Sequence, residues 1–231
     1  NCATMASQAY SSSRSPPRWL RRFVVAARRS NVFLLLEIFF AAAFLAVVAS
    51  TWLTFADAPP GGQSLPPSQV AGLLIGGLGM GFTLRAALAA TPAAAQVVVS
   101  EIVPDLIGWA HGPMAEVFGG CLEDPRVLLR AGDVAAEIRT AAPPYDAILL
   151  DVDNGPDGLT RAGNDGLYGE AGLRAAHRAL SPGGVLAVWS AAPDPAFTRR
   201  LGRCGFQAET HSVPAGRGKR GPRHIIWTAR R

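Results

Sequence analysis

The sequence predicts an α/β fold for residues 70–231, a doubly wound and mostly parallel sheet with an antiparallel hairpin at its carboxyl end. From Val70 onward, short apolar runs alternate with helical patterns, which is typical of stacked βαβ units. A glycine-rich turn follows the first apolar run, at the place where doubly wound folds bind ligands. Two final apolar runs flank the loop 215–222, and this arrangement predicts the hairpin.

Several of the predicted elements carry a local signal. Pro104 stands in the first turn of the second helix, where a missing N–H group costs nothing. The fourth strand is almost continuously apolar, as expected for an inner strand buried on both faces. A terminal hairpin on a parallel sheet is the arrangement of the class I, Rossmann-like methyltransferases. The predicted strands are 70–77, 96–102, 126–131, 145–152, 185–190, 206–213 and 224–229, and the predicted helices are 82–90, 104–117, 134–140, 170–180 and 195–203.

The residues before this domain have a different character. Residues 1–31 are rich in Ser, Ala and Arg and lack acidic side chains, which predicts a poorly ordered or targeting segment. The run 32–55 carries Glu37 as its single charge, and its length suffices for a bilayer, which needs roughly 20 residues. Arginines just before it favour a signal anchor, although an organelle transit sequence and an ordinary buried helix of a truncated domain are the alternatives. Residues 56–69, dense in Pro and Gly, are predicted to be a linker.

The distribution of charge argues against a nucleic-acid partner. The formal net charge is +5, but six basic residues lie within 14–29 and six more within 217–231. Residues 71–213 contain ten arginines and fifteen carboxylates, so the body of the domain is acidic. An acidic body would suit a cationic substrate such as a polyamine, although an ordinary solvated surface explains the same count.

Several common kinds of site have no signature in this sequence. Its three cysteines are scattered without a CxxC pair, so neither a disulfide framework nor a zinc site is indicated, and no metal is expected. The sequence also lacks the Gly-x-Ser-x-Gly, HExxH and Walker patterns, which removes the commoner hydrolases and nucleoside triphosphatases.

The first candidate site combines a glycine loop with an acidic residue. Gly76, Gly77, Gly79 and Gly81 lie between the first strand and the first helix, where a ligand can approach the backbone and the helix directs its N–H groups toward it. A purely structural turn would explain the glycines alone. Glu101 ends the second strand about twenty residues later, the spacing at which an acidic residue accepts hydrogen bonds from ribose hydroxyls. Together they predict a site for an adenosine-containing cofactor.

Carboxylates follow the next two strands as well. Asp133 follows the third strand, where it could accept a hydrogen bond from an adenine amino group or cap the next helix. Asp151, Asp153 and Asp157 follow the fourth strand. Carboxylates at this position could orient an ammonium group or take its proton, and we predict that role for Asp151 and Asp153. Asp157 fits turn chemistry better.

These motifs resemble the spermidine synthases in order and spacing, over roughly two thirds of the chain. The resemblance implies decarboxylated S-adenosylmethionine as an aminopropyl donor. It also implies that Glu101 is the ribose ligand, that Asp133 is the adenine ligand, and that Asp151 is the carboxylate that prepares the attacking amine. The matching segments are the glycine loop, Glu101, Gly132-Asp133, residues 145–158, Leu167-Tyr168 and residues 180–184.

The sequence also departs from that family. Gly79 stands where the family has an aspartate that holds the ammonium group of the donor. Asn154 stands where the family has the second member of an Asp-x-x-Asp pair, and Asp153 lies one position earlier. The small β-rich domain that precedes this fold in the family is not recognisable in residues 1–68.

The leading hypothesis is therefore a transferase that moves an aminopropyl group from decarboxylated S-adenosylmethionine to a small-molecule amine, as in polyamine biosynthesis. One alternative is a methyltransferase that uses intact S-adenosylmethionine. Another is a catalytically idle domain tethered to a membrane. The sequence leaves open membrane attachment through residues 32–55, a homodimer, and an organellar rather than cytoplasmic location.

Overall fold

A seven-stranded sheet forms the centre of the described part of the chain, which comprises residues 72–152, 155–156, 166–214 and 223–231 of a computed structural model. The strand order is β3-β2-β1-β4-β5-β7-β6, in which neighbours from β3 to β5 are parallel and β7 is antiparallel to both β5 and β6. The predicted α/β fold with a carboxyl-terminal hairpin is therefore confirmed. The strands are β1 Gly72–Gly76, β2 Gln96–Glu101, β3 Val127–Ala131, β4 Tyr145–Leu150, β5 Leu180–Ser190, β6 Gln207–Pro214 and β7 Arg223–Arg230.

Helices cover both faces of this sheet. The inner strand β4 is buried on both sides, since Ala147 and Leu149 pack into one core while Ile148 and Leu150 pack into the other. This alternation arises because successive side chains of a strand point to opposite faces of the sheet. The helices are α1 Phe82–Ala90, α2 Pro104–His111 and α3 Ala115–Phe118 against the first core, and α4 Val134–Arg139, α5 Glu170–Ala179 and α6 Pro195–Arg203 against the second.

Two predicted elements differ from the structure. The single helix predicted over 104–117 is wrong, because α2 ends at His111 and α3 begins at Ala115. Gly112 leaves the helical region with φ −114° and ψ −111°, because the following proline disfavours helical angles there and glycine permits this conformation. Strand β5 also begins earlier than predicted, at Leu180, because Leu180 pairs with Tyr145 before a shift in register.

One aromatic side chain anchors the hairpin to the helical layer, in addition to the pairing of β7 with β5. Trp227 of β7 is fully buried, and its ring meets Phe197 of α6 edge-on, with the ring centroids 4.9 Å apart. Its indole N–H donates to the Thr198 hydroxyl at 2.8 Å. A buried tryptophan needs such a partner, so the contact both fills the core and satisfies its polar group.

The segments predicted to precede the domain, 1–31, 32–55 and 56–69, lie outside the described residues, and so do Asp153, Asn154 and Asp157. Within the ranges that the structure describes, no helix combines the length and the apolar character needed to cross a membrane.

Candidate functional site

The carboxyl ends of β1, β2 and β4 meet at one edge of the sheet. The N–H of Gly77 donates to the Ser100 carbonyl at 2.9 Å, and the N–H of Asp151 donates to the Gly76 carbonyl at 3.0 Å. The N–H of Gly132 likewise donates to the Glu101 carbonyl at 2.8 Å. These bonds continue the parallel ladders beyond the strands, so the glycine loop, Glu101, Asp133 and Asp151 share one edge.

The glycine loop is shaped by its close approach to the end of β4. At Gly77, φ is +91°, and a Cβ atom would lie 2.5 Å from the Asp151 carbonyl oxygen. Every other residue would be both strained and obstructed there. Gly76 and Gly81 are also enclosed, since a Cβ atom would lie 2.9 Å from a Val134 methyl and 2.6 Å from the Phe118 ring, respectively.

Gly79 differs from these three glycines. A Cβ atom at Gly79 would meet nothing within 4 Å, so this position faces open space. The helix α1 begins directly after the loop, with Gly81 as its N-cap; no side chain caps this end, and its first turn holds no acidic residue. Its N–H groups and partial positive charge are therefore directed into a region where an anionic group would be stabilised.

Glu101 points toward the glycine loop. Its side chain is only 5% exposed, and its two oxygens accept hydrogen bonds from backbone N–H groups, Oε2 from Leu78 at 2.9 Å and Oε1 from Val103 at 2.8 Å. A carboxylate offers about four acceptor sites, so two remain for other donors. Glu101 thus fixes the loop, and the vicinal hydroxyls of a ribose could bind the remaining sites.

Asp133 serves as the N-cap of α4. Its Oδ1 accepts a hydrogen bond from the N–H of Ala135 at 2.9 Å. The residue is exposed, and no second hydrogen bond to its carboxylate occurs among the described residues. The capping use that the sequence left open is therefore observed, and the adenine contact stays a prediction.

Two exposed apolar residues beside Glu101 were missed by the sequence reasoning. Ile102 is 49% exposed and Val103 is 37% exposed, directly after the end of β2. The two side chains form a small exposed apolar patch at the end of β2. Their position directly after Glu101 is the sequence signal that places them at this edge of the sheet.

Asp151 lies at the tip of β4, against the loop. The Thr83 hydroxyl of α1 donates to Asp151 Oδ2 at 2.7 Å. The residue keeps part of its surface open to solvent, but the surrounding protein raises the pKa of its carboxyl, and the hydrogen bond from Thr83 opposes that rise. Sequence reasoning missed Thr83, because this residue belongs to no recognised motif and is simply the second residue of α1.

The segment after Asp151 is held from two sides. The Tyr168 hydroxyl, on a side chain that is 1% exposed, donates to the Val152 carbonyl at 3.3 Å. At Gly155 a Cβ atom would lie 2.5 Å from Ser190 at the end of β5. The position of Asp153 between these contacts is not described, so its predicted role stays untested. Across the described ranges, no three His, Cys, Asp or Glu side chains are grouped so that they could hold a metal ion.

Curated proteins similar to this chain are polyamine aminopropyltransferases. The protein of Nitrosomonas europaea is 36% identical over 98 residues, which are 42% of this chain and 29% of that protein. The protein of Mycobacterium tuberculosis is 33% identical over 124 residues, 52% of this chain and 23% of that protein. No family model matches the sequence. The resemblance inferred from the motifs is confirmed, although the chain matches less than a third of either relative.

Solved structures show the same fold. The spermidine synthase of Thermotoga maritima has a TM-score of 0.53 and 19% identity, covering 71% of this chain and 53% of that one. A spermidine synthase in complex with the transition-state analogue AdoDATO also has a TM-score of 0.53 and 19% identity, and the match covers 71% of this chain and 54% of that one. Human methyltransferase-like protein 13 in complex with SAH has a TM-score of 0.51 and 20% identity, and the match covers 68% of this chain and 71% of that one. The relatives and neighbours are transferases, and the fold is that of the class I methyltransferases.

The close approach at Gly77 gives a test of the site's architecture. Gly77→Ala should lower the free energy of unfolding by the left-handed strain of about 1–2 kcal/mol plus an overpacking cost of about 1–3 kcal/mol. Gly79→Ala is the matched control, since it carries the strain and meets no neighbour. Urea unfolding of both variants measures the difference. Equal losses at the two positions would contradict the close approach.

Proposed function

We propose that this chain is a transferase that moves an aminopropyl group from decarboxylated S-adenosylmethionine to a small-molecule amine. The observation that carries the proposal is the placement of Asp151, which is fixed beside the glycine loop by Thr83 while Glu101 points into the same loop. A donor in the loop and an amine at Asp151 would thus lie next to each other. The similarity to polyamine aminopropyltransferases supports this chemistry.

The donor would lie across the ends of β1, β2 and β3. Its ribose hydroxyls would donate to Glu101, and its adenine ring would lie on Ile102 and Val103 with its amino group near Asp133. All four residues follow or end neighbouring strands and face the same edge. The SAH and AdoDATO complexes of proteins with this fold support an S-adenosylmethionine-type co-substrate.

The reaction would be a direct displacement. The amine nitrogen donates its lone pair to the carbon bound to the sulfonium, the carbon–sulfur bond breaks, and its electrons neutralise the sulfur as a thioether. The proton that leaves the nitrogen passes to the Asp151 carboxylate, aided by Asp153. Because the sulfonium is already a good leaving group, alignment of the two reactants and a neutral amine are the main requirements.

Product analysis tests this proposal. We expect the full 231-residue chain, incubated with decarboxylated S-adenosylmethionine and putrescine, to form an aminopropylated amine and 5′-methylthioadenosine, detected by mass spectrometry. Asp151→Asn should lower the rate by about 10²–10⁴-fold, the usual worth of a general base. Asp146→Asn is the control, since Asp146 lies at the opposite end of the same strand and accepts from the N–H of Gly72. Unchanged turnover in Asp151→Asn would refute the role of Asp151.

Glu101 can be tested by binding alone. Glu101→Gln replaces one acceptor oxygen with a donor that faces a backbone N–H group, so we expect the affinity for 5′-methylthioadenosine to fall about tenfold or more. Glu137→Gln, on a carboxylate that pairs with Arg130 on the surface, should leave the affinity unchanged. Titration calorimetry measures both. An unaltered affinity in Glu101→Gln would exclude Glu101 as a ribose ligand.

A second candidate is methyl transfer from intact S-adenosylmethionine. The open space at Gly79 and the uncapped end of α1 favour it, because both would accommodate the carboxylate of the intact donor. A calorimetric comparison of the two donors decides between the candidates. Tighter binding of the intact donor would replace aminopropyl transfer by methyl transfer.

The role of Gly79 in this choice has its own test. Gly79→Asp should shift the ratio of the two affinities toward the decarboxylated donor, because the new carboxylate attracts the ammonium group of its aminopropyl chain and repels the carboxylate of the intact donor. Gly79→Asn matches it in shape and tolerates the left-handed conformation, but lacks the charge. The same ratio in both variants would mean that position 79 does not face this end of the donor.

A further inference from the structure

Thr83 is one of the few polar side chains buried in the described part of the chain, with 8% of its surface exposed. A buried hydroxyl is costly unless it is hydrogen-bonded, and valine would fill the same volume without that requirement. Its hydroxyl donates to the Asp151 carboxylate at 2.7 Å. The polar atom therefore contributes a contact to Asp151 that packing alone would not provide.

The hydrogen bond completes a three-point attachment of Asp151. The backbone N–H of Asp151 donates to the Gly76 carbonyl, and its own carbonyl lies against Gly77. The Thr83 hydroxyl then fixes the side chain through Oδ2. The other oxygen, Oδ1, has no partner among the described residues. One oxygen is thus used for orientation, and the other is left to accept a proton.

The charges near Asp151 determine how strongly the Thr83 hydroxyl influences the pKa of its carboxyl. Asp151 is exposed at the edge of the sheet, but the protein atoms around its carboxyl raise its pKa, and the Thr83 hydrogen bond lowers it. The neighbouring strands β1 and β5 contain no charged residue. The only charge on α1 is Arg85, whose guanidinium bonds the Val117 carbonyl and lies over the Phe82 ring. No cation of these elements therefore stabilises the carboxylate directly.

We propose that Thr83 is a positioning residue of the transfer reaction, whose hydroxyl both orients Asp151 and favours the charged form that accepts the proton of the amine. This inference rests on the proposed function for the step that it assists. The contact itself can be tested without turnover.

The first measurement is a titration of the carboxyl groups by carbon-13 NMR in the full chain with labelled aspartate, in which the Asp151 signal is assigned by its loss in Asp151→Asn. Thr83→Val removes the hydroxyl and keeps the shape, so the pKa of Asp151 should rise. Thr83→Ser keeps the donor and should restore the original value. Thr140→Val removes an exposed hydroxyl that bonds only within its own helix and should have no effect.

The second measurement is the pH profile of kcat/KM for the amine. Asp151 must be charged to take the proton, so activity falls as the pH falls through its pKa. Thr83→Val raises that pKa, and the acid limb of the profile should therefore move to higher pH, with partial or full rescue in Thr83→Ser. If Thr83 had only a structural role, Thr83→Val would lower the melting temperature and leave the acid limb of the pH profile unchanged.

The outcomes separate the two proposals. An unchanged titration of Asp151 in Thr83→Val, or in Thr83→Ala if the valine variant does not fold, overturns the inference. A shifted titration in a chain that alkylates no amine with either donor supports the coupling between Thr83 and Asp151 and refutes the proposed function. A shifted titration together with a shifted acid limb supports both.

Discussion

The contact between the glycine loop and the tip of β4 is the constraint on which the site depends. Gly77 lies so close to the Asp151 carbonyl oxygen that a single added carbon would stand 2.5 Å from it. The backbone bond from Asp151 to Gly76 and the bond from Thr83 hold the same two segments together. The loop proposed to bind the donor and the carboxylate proposed to meet the acceptor are therefore joined by direct contacts, as a displacement between two bound molecules would require.

Glu101 extends this unit to β2. Because its two oxygens bind the N–H groups of Leu78 and Val103, the carboxylate holds the loop in place before any ligand arrives. Such preorganisation lowers the entropic cost of binding. The same residue thus has a structural use that is observed and a binding use that is proposed, and the two are compatible because a carboxylate has acceptor sites for both.

The fold by itself does not choose between aminopropyl and methyl transfer. Structures of both kinds resemble the fold of this chain to a similar degree, with TM-scores of 0.53 and 0.51. In the proposed function, the choice of donor would depend on the side chains at this edge, chiefly on the residue at position 79. An absent side chain there leaves space and the positive end of α1, whereas an acidic one would recognise an ammonium group.

The sequence by itself determined the sheet, most helix boundaries and the shared edge of Glu101, Asp133 and Asp151, because these follow from periodicity and from the rule that parallel strands end together. The Gly112-Pro113 pair and the cap at Asp133 are local signals, of which the sequence reasoning missed the first and left the second open. Only the tertiary structure decided the exposure of Ile102 and the bond from Thr83 to Asp151. Each of these depends on which residues come into contact, or remain exposed to solvent, once the chain has folded. Thr83 and Asp151 are 68 positions apart, and no local pattern along the chain relates them.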